Sequence, residues 1–529
     1  MLSSRTTKGE PDMSELVLHG NLALNARKYR DKDALVFGDT RISHHELNAR
    51  VNSLADGFLG AGLRPGDHCA LLFGNSVEFV ESLLALSKIG VVNVCVNTVL
   101  TPKEIAYIID HSDSRALLAE GEFGKKLNPI LGELPKLDRS LLFSANGALD
   151  GFRPLDGVRS ANTAEPSARV DENAWMRLAY TSGTTGLPKG AIIPQRSQVL
   201  MFYQFATQYG LSDRDRTLIV GPMYASGPYV FGLMSLYFGG TLVLLRKFDA
   251  HQVLRTITDE RVTASFMVPT MYNMMLAIPE EERRARYDVS SLRILSSGSA
   301  PRHTRTRELM FEYFSSARIN DCYGTTECGL STNLDHHDQL RKVTTVGKPV
   351  MGCEVKIVDD NNRELSPGEI GEIWVRTLSL GSGYYKNETA TAKAFIDGWF
   401  VTGDLGFLDE EHFLTLVDRK NDLIISGGAN VYPTDVEQAL YRHPAVLEAA
   451  VVGVPDEKWG EAVKAVVVSR PGARITETEL LDWCREELAG YKVPKSVSFV
   501  ADLPRNAAGK VLRRVVREQF WVGRETKLI

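Results

Sequence analysis

The chain has 529 residues, more than one ordinary core organises, so two or more domains are expected. Its 43% hydrophobic and 24% charged residues are those of a globular protein, and a net charge of −5 supplies no field that would draw it to nucleic acid or an anionic membrane. The cysteines Cys69, Cys95, Cys322, Cys328, Cys353 and Cys484 form no CxxC pair, which argues against a zinc or disulfide framework and fits a reducing, cytoplasmic setting.

The N-terminal "MLSSRTTKGEPDMSEL" lacks the apolar core of a signal peptide and reads as a flexible tail over 1–18, with Met13 an alternative start. No window approaches about 18 uninterrupted apolar residues, so no transmembrane span is expected. From residue 44 the chain alternates. "HHELNARVNSLADGFLGAGL" has helical spacing, "HCALLF" is strand-like, and "SVEFVESLLALSKIG" reads as an amphipathic helix stopped by Gly90. "VVNVCVN" is a β-branched run, "TPKEIAYIIDHSD" opens with Thr101 as N-cap before a proline, and "RALLAE" is another strand. Helices alternating with short buried strands predict a parallel α/β sheet. The polar stretch 145–170 reads as a long surface connection, and a second α/β region follows over about 174–340. After 345, "GCEVKIVD", "GEIGEIWVR", "GWFVTGDLGFLD" and "FLTLVDR" predict a β-rich region, and the last 110 or so residues a small α+β domain with a basic end.

Within this frame "YTSGTTGLPKG", residues 180–190, fits neither helix nor strand. Its glycines let backbone N–H groups approach an anion, its hydroxyls add donors and Lys189 adds charge. It is not a Walker A loop, since no glycine immediately precedes Lys189. Composition alone also fits a mobile Ser/Gly linker. The strand-like runs "AWMRLAY" and "AII" on either side favour a placed loop.

This stretch resembles the signature of the acyl-adenylating superfamily, which includes acyl-CoA synthetases, peptide-synthetase adenylation domains and insect luciferases. The resemblance continues through "SSGSAP" (296–301), "YGTTE" (323–327), "TGDLG" (402–406), "DRKNDLIISGGANVYPTDVE" (418–437) and "PRNAAGKVLRR" (504–514), and covers about 20–515. It implies a large N-terminal AMP-binding domain of stacked α/β sheets over 19–418, with a β-rich subdomain at about 345–418. A hinge at 419–422 and a small mobile α+β domain over 423–529 follow.

The same resemblance implies roles. Thr181, Ser182, Gly183, Thr184, Thr185, Gly186 and Lys189 would hold the β- and γ-phosphates of ATP. Gly298, Ser299, Ala300 and Pro301 would border the adenine, with Asp321, Cys322, Tyr323, Gly324 and Thr325 completing the nucleotide site and Tyr323 stacking on the base. Thr326 would hold the α-phosphate and Glu327 would bind Mg²⁺, a task suited to a hard carboxylate. Asp404 would accept from the ribose hydroxyls, with Arg419 beside it. Lys510 would span the carboxylate and α-phosphate during adenylation. Gly427 and Gly428 would then leave room for the CoA arm after rotation about Asn421.

The chain departs from the usual pattern at four places. Asn421 stands where the hinge is commonly Asp or Lys, Ala225 in "PMYASG" where histidine is common, and Gln195 where another histidine is common; Cys322 precedes Tyr323. With Tyr224, Ala225, Phe231, Ser297 and Cys322 as acyl-pocket walls, the small residues suggest a medium-chain, branched or ring-bearing acid. The expectation is an ATP- and Mg²⁺-dependent acid:CoA ligase acting through acyl-AMP, with a small-molecule carboxylic acid, ATP and CoA as partners. No nucleic acid is expected, and a homodimer is left open. Transfer to a carrier-protein thiol, a luciferase-like oxygenase and a non-catalytic nucleotide-binding relative are the alternatives.

Overall fold

Thr101 caps the helix Pro102–His111 through a full capping box: its hydroxyl accepts from the Glu104 backbone while the Glu104 carboxylate accepts from the Thr101 backbone. Such local signals recur. Ser43 caps His44–Ala61, which ends at Gly62 in the left-handed region (φ 111°), where a side chain would be strained. The computed structural model describes residues 15–181, 187–298, 304–419, 422–427, 429–456, 458–505 and 511–521.

The fold is mixed α/β, with a large N-terminal α/β region and a strand-rich C-terminal region. Two compact units share the chain: 1–343, 347–354 and 375–400 form the first, and 344–346, 355–374 and 401–529 the second.

In the first unit a seven-stranded sheet runs Arg153–Pro154, Leu142–Ala145, Ala116–Glu120, His68–Leu72, Val92–Cys95, Trp175–Thr181, Lys189–Pro194. All neighbours are parallel except the last pair. A nine-stranded sheet carries, in order, Lys348–Pro349, Gly329–Leu334, Arg318–Thr325, Ile294–Ser297, Ala264–Met267, Arg216–Ile219, Thr241–Leu244, Asp33–Phe37 and Thr40–Ser43. Its centre is parallel and its edges antiparallel. Ala70, Leu72, Val94, Leu117 and Leu142 lie in one apolar core, and Leu218, Val243, Met267, Leu295 and Ile319 in another. Beyond the strand ends the sheets are tied by the bidentate pair of Arg246 and Glu120 (2.6 and 2.8 Å). Asn75 adds bonds to the carbonyls of Gly221 and Leu245.

In the second unit Ala429–Val431, Ile424–Ser426, Gly460–Ser469 and Val446–Asp456 form a sheet, with Ser496–Phe499 parallel to Gly460–Ser469. Val436, Leu440, Leu480 and Cys484 from the helices Pro433–Tyr441 and Glu477–Glu487 join the core on one face; Leu503 and Val516 join the cluster on the other.

One expectation changes. The helix Val77–Lys88 is buried almost all round rather than amphipathic. Its polar residues, which suggested a wet face, are paired inside: Glu81 with Arg50 and Arg159, and Lys88 with Asn48, Asn52 and Glu165. The stretch 145–170 runs over the surface as expected, and it is tied down there: Arg159 pairs with Glu81 and Glu165 with Lys88, both on helix Val77–Lys88, and Ser53 donates to the Ser160 carbonyl at 2.6 Å.

Candidate functional site

Thr181 and Lys189 are cross-strand partners at the facing ends of two antiparallel strands. Ser182, Gly183, Thr184, Thr185 and Gly186 lie outside the described residues. Lys189 is half-buried, and its Nζ sits 5.3 Å from the centre of the Tyr384 ring. Tyr384 in turn donates its hydroxyl to Glu327 Oε1 at 2.8 Å. Burial and the Glu327 charge hold the Tyr384 phenol well above its ordinary range, so it remains a donor. Lysine, tyrosine and buried carboxylate thus form one chain. Sequence reading missed Tyr384, which no motif marks and which stands 57 positions from its partner.

Glu327 follows the strand Arg318–Thr325, which is sharply constrained at Gly324. A Cβ there would sit 1.9 Å from the Gly329 carbonyl oxygen, so no other residue fits. Thr326 Oγ1 lies 3.2 Å from Ser226 Oγ, at the start of the helix Ser226–Tyr237. Thr325 Oγ1 lies 3.2 Å from Cys328 Sγ, and Tyr323 is buried. Asp321 forms an ion pair with Arg307 at 3.2 Å.

The side expected to take the acyl group is built on strand alternation. Phe266 and Ser296 are register partners in adjacent strands. Phe231 stacks on Phe266 (5.0 Å, 26°) and on Tyr209 (5.9 Å), and Ser296 Oγ donates to the Tyr209 hydroxyl at 3.2 Å. Cys322 Sγ is 4.0 Å from Ser296 Oγ and would be 2.9 Å from a Cβ at Gly298. Successive strand residues face opposite ways, so Ser297 belongs with Leu295 on the other face. Ser296 is therefore the serine on the aromatic side, next to Ser297, which is buried as well. Tyr224 and Ala225 are half-buried before helix Ser226–Tyr237, and burial raises the Tyr224 phenol. Ser299, Ala300 and Pro301 lie outside the described residues.

In the second unit Asp404 and Arg419 are cross-strand partners, and Arg419 Nε lies 3.3 Å from Asp404 Oδ1. Gly427 has φ 59°, and a Cβ on it would meet the Trp459 ring at 2.5 Å, so the space that its missing side chain leaves is bordered by an indole. Arg513, read in the sequence as part of a basic run, is a hub. It pairs with Glu437 (2.6 Å), Asp418 (2.9 Å) and Asp422 (3.5 Å) and donates to Thr434 (3.1 Å). Its acidic partners hold the guanidinium above its ordinary value against the cost of burial. Asn421, Gly428 and Lys510 lie outside the described residues.

No group of three His, Cys, Asp or Glu among the described residues could hold a metal alone. Glu327, a single buried carboxylate, matches the donor set of Mg²⁺ when phosphate oxygens complete it. No helix among the described residues is long and apolar enough to cross a membrane.

Lys189 is thus linked through Tyr384 to the buried carboxylate of Glu327. The chain belongs to the AMP-binding enzyme family, whose model matches residues 22–385, with the AMP-binding enzyme C-terminal domain matching 435–510. It is similar to a feruloyl-CoA synthase of Amycolatopsis sp, 36% identical over 94% of this chain and 97% of that one. It is also similar to a long-chain-fatty-acid–CoA ligase of Mycobacterium tuberculosis, 34% identical over 91% and 94%. Among solved structures, o-succinylbenzoate CoA synthetase from Bacillus subtilis with its acyl-adenylate intermediate aligns at a TM-score of 0.83, with 31% identity over 96% and 99% of the two chains. The chain is thus an enzyme that binds ATP and AMP, an AMP-forming ligase of the acyl-CoA synthetase class.

Proposed function

We propose that the protein joins a medium-chain, branched or ring-bearing carboxylic acid to CoA in two half-reactions. The linked Lys189, Tyr384 and Glu327 carry the reading, since they bring a cation and a carboxylate together. In the first half-reaction the acid's carboxylate oxygen attacks the α-phosphorus of ATP. The bond to the bridging oxygen breaks, pyrophosphate leaves, and an acyl-AMP anhydride remains. Lys189, Thr181 and the hydroxyls of 182–185 take the β- and γ-phosphates. Thr326 orients the α-phosphate, and Lys510 stabilises its developing charge. Glu327 would hold Mg²⁺, which neutralises charge on the departing phosphates.

Tyr323 stacks on adenine beside Gly298, while Asp404 and Arg419 hold the ribose. In the second half-reaction the small domain turns about 419–422 at Asn421, and Lys510 gives way to the segment with Gly427 and Gly428. The CoA thiol, losing its proton, attacks the acyl carbon and AMP leaves. Ser296 replaces Ser297 in the proposed acyl wall, beside Phe231 and Cys322. The aromatic stack there favours ring-bearing acids, and two of the relatives are named for aromatic acids.

A panel of acids with ATP, Mg²⁺ and CoA tests the reading through AMP release and thioester formation. Ring-bearing or medium-chain acids should lead the panel; strong preference for acetate or propionate would contradict the pocket assignment. Replacing CoA with holo carrier protein separates the alternative acceptor.

A further inference from the structure

Tyr107 and His111, four residues apart on helix Pro102–His111, share one helix face, and their rings lie 5.2 Å apart. They reach opposite stems of the phosphate loop. Tyr107 donates its hydroxyl to the Pro188 carbonyl at 3.2 Å, directly before Lys189. His111 Nδ1 lies 2.8 Å from the Tyr180 hydroxyl, directly before Thr181. Tyr385 adds a third tie: its backbone N–H donates to the Gly190 carbonyl at 2.8 Å, and its own hydroxyl is anchored on Asp113 at 2.6 Å.

A half-open hollow of about 450 Å³ borders these contacts, lined by Tyr107, His111, Leu187, Pro188, Lys189 and Tyr385. The directional bonds, at 2.8 and 3.2 Å, fix the stems at named atoms. Both ring partners keep their neutral forms. Burial raises the Tyr180 phenol, and burial with the Lys386 charge lowers His111.

We propose that Tyr107 and His111 are positioning residues for adenylation: one helix holds Tyr180 and Pro188, and through them Thr181 and Lys189, at the spacing the polyphosphate requires. This rests on the phosphate-binding role proposed above for Lys189. Neither side chain touches ATP in the scheme, so their effect is confined to the step that grips and releases pyrophosphate.

The test uses the full chain with the best acid of the panel. ATP–pyrophosphate exchange reads the first half-reaction, thioester formation from supplied acyl-AMP and CoA reads the second, and the thermal midpoint reads folding. Tyr107→Phe and His111→Ala should raise KM for ATP and pyrophosphate about tenfold and leave the second half-reaction unchanged. His111→Gln, which keeps a hydrogen-bonding group toward Tyr180, should restore most of the loss. Unchanged exchange in both variants overturns the proposal. So does an equal fall of both half-reactions together with the thermal midpoint, which is what a merely structural cluster would give. Should His111→Ala fail to fold, Tyr107→Phe decides, because it deletes one hydroxyl and keeps the ring. Lys189→Ala separates the layers. If it exchanges normally, the phosphate role fails and the clamp with it; if it is impaired while Tyr107→Phe and His111→Ala are not, the clamp alone fails.

Discussion

Removing a single oxygen from Tyr384 isolates the link between loop and carboxylate. Tyr384→Phe deletes the 2.8 Å bond to Glu327 but keeps the ring beside Lys189. Glu327 then loses the donor that orients it, and outer partners of metal-ligating groups commonly contribute ten- to hundredfold in affinity. A Mg²⁺ titration of adenylation should shift to about tenfold higher concentration in Tyr384→Phe; an unshifted titration would remove Tyr384 from the site. At this scale the motifs single out Lys189, Thr326, Glu327, Asp404 and Arg419 as candidates in sequence, because each sits in a short pattern. Tyr384 and Ser296 stayed hidden. One acts across a long sequence separation, and the other is distinguished from its neighbour only by which face of a strand it occupies.

Elements with local signals were the legible ones. Thr101, Pro102 and Glu104 announce their helix within four positions, and the helix starts there. Val77–Lys88 misled because Glu81 and Lys88 look solvated until partners from residues 48–52 and 159–165 are in place. Arg513 misled in the same way, with acceptors 76 to 95 positions away. Arg513→Ala should leave Glu437, Asp418 and Asp422 without their shared cation. Breaking a buried network of this kind costs about 3 kcal/mol, readable as a lower denaturant midpoint; an unchanged midpoint would show that the hub contributes little.

Two histidines at the N-terminal helices add a pH dependence. Burial pushes His19 down to about 3 and His44 to about 4 from an ordinary 6.5. Between those values and 6.5 the unfolded chain binds the extra protons, so stability falls as pH drops through that window. The slope is at most about 1.4 kcal/mol per pH unit for each histidine. His44→Gln should flatten the decline in unfolding midpoint between about pH 6.5 and about pH 5; an equal slope would place the proton uptake elsewhere.

For the whole molecule, the alternation of helix and strand made the large α/β region legible. The pairing order of nine strands was not, since it depends on contacts among segments hundreds of residues apart. The proposed chemistry divides the work between Lys189 with Glu327 in one stretch of chain and Lys510 in another. The most direct measurement follows ATP, acid and CoA through both half-reactions in the wild type and in Lys510→Ala. Wild-type protein should form AMP, pyrophosphate and thioester in equal amounts, with acyl-AMP accumulating when CoA is withheld. Lys510→Ala should lose acyl-AMP formation and still convert supplied acyl-AMP to thioester. Release of ADP and phosphate by the wild type, or undiminished adenylation in Lys510→Ala, would contradict the mechanism.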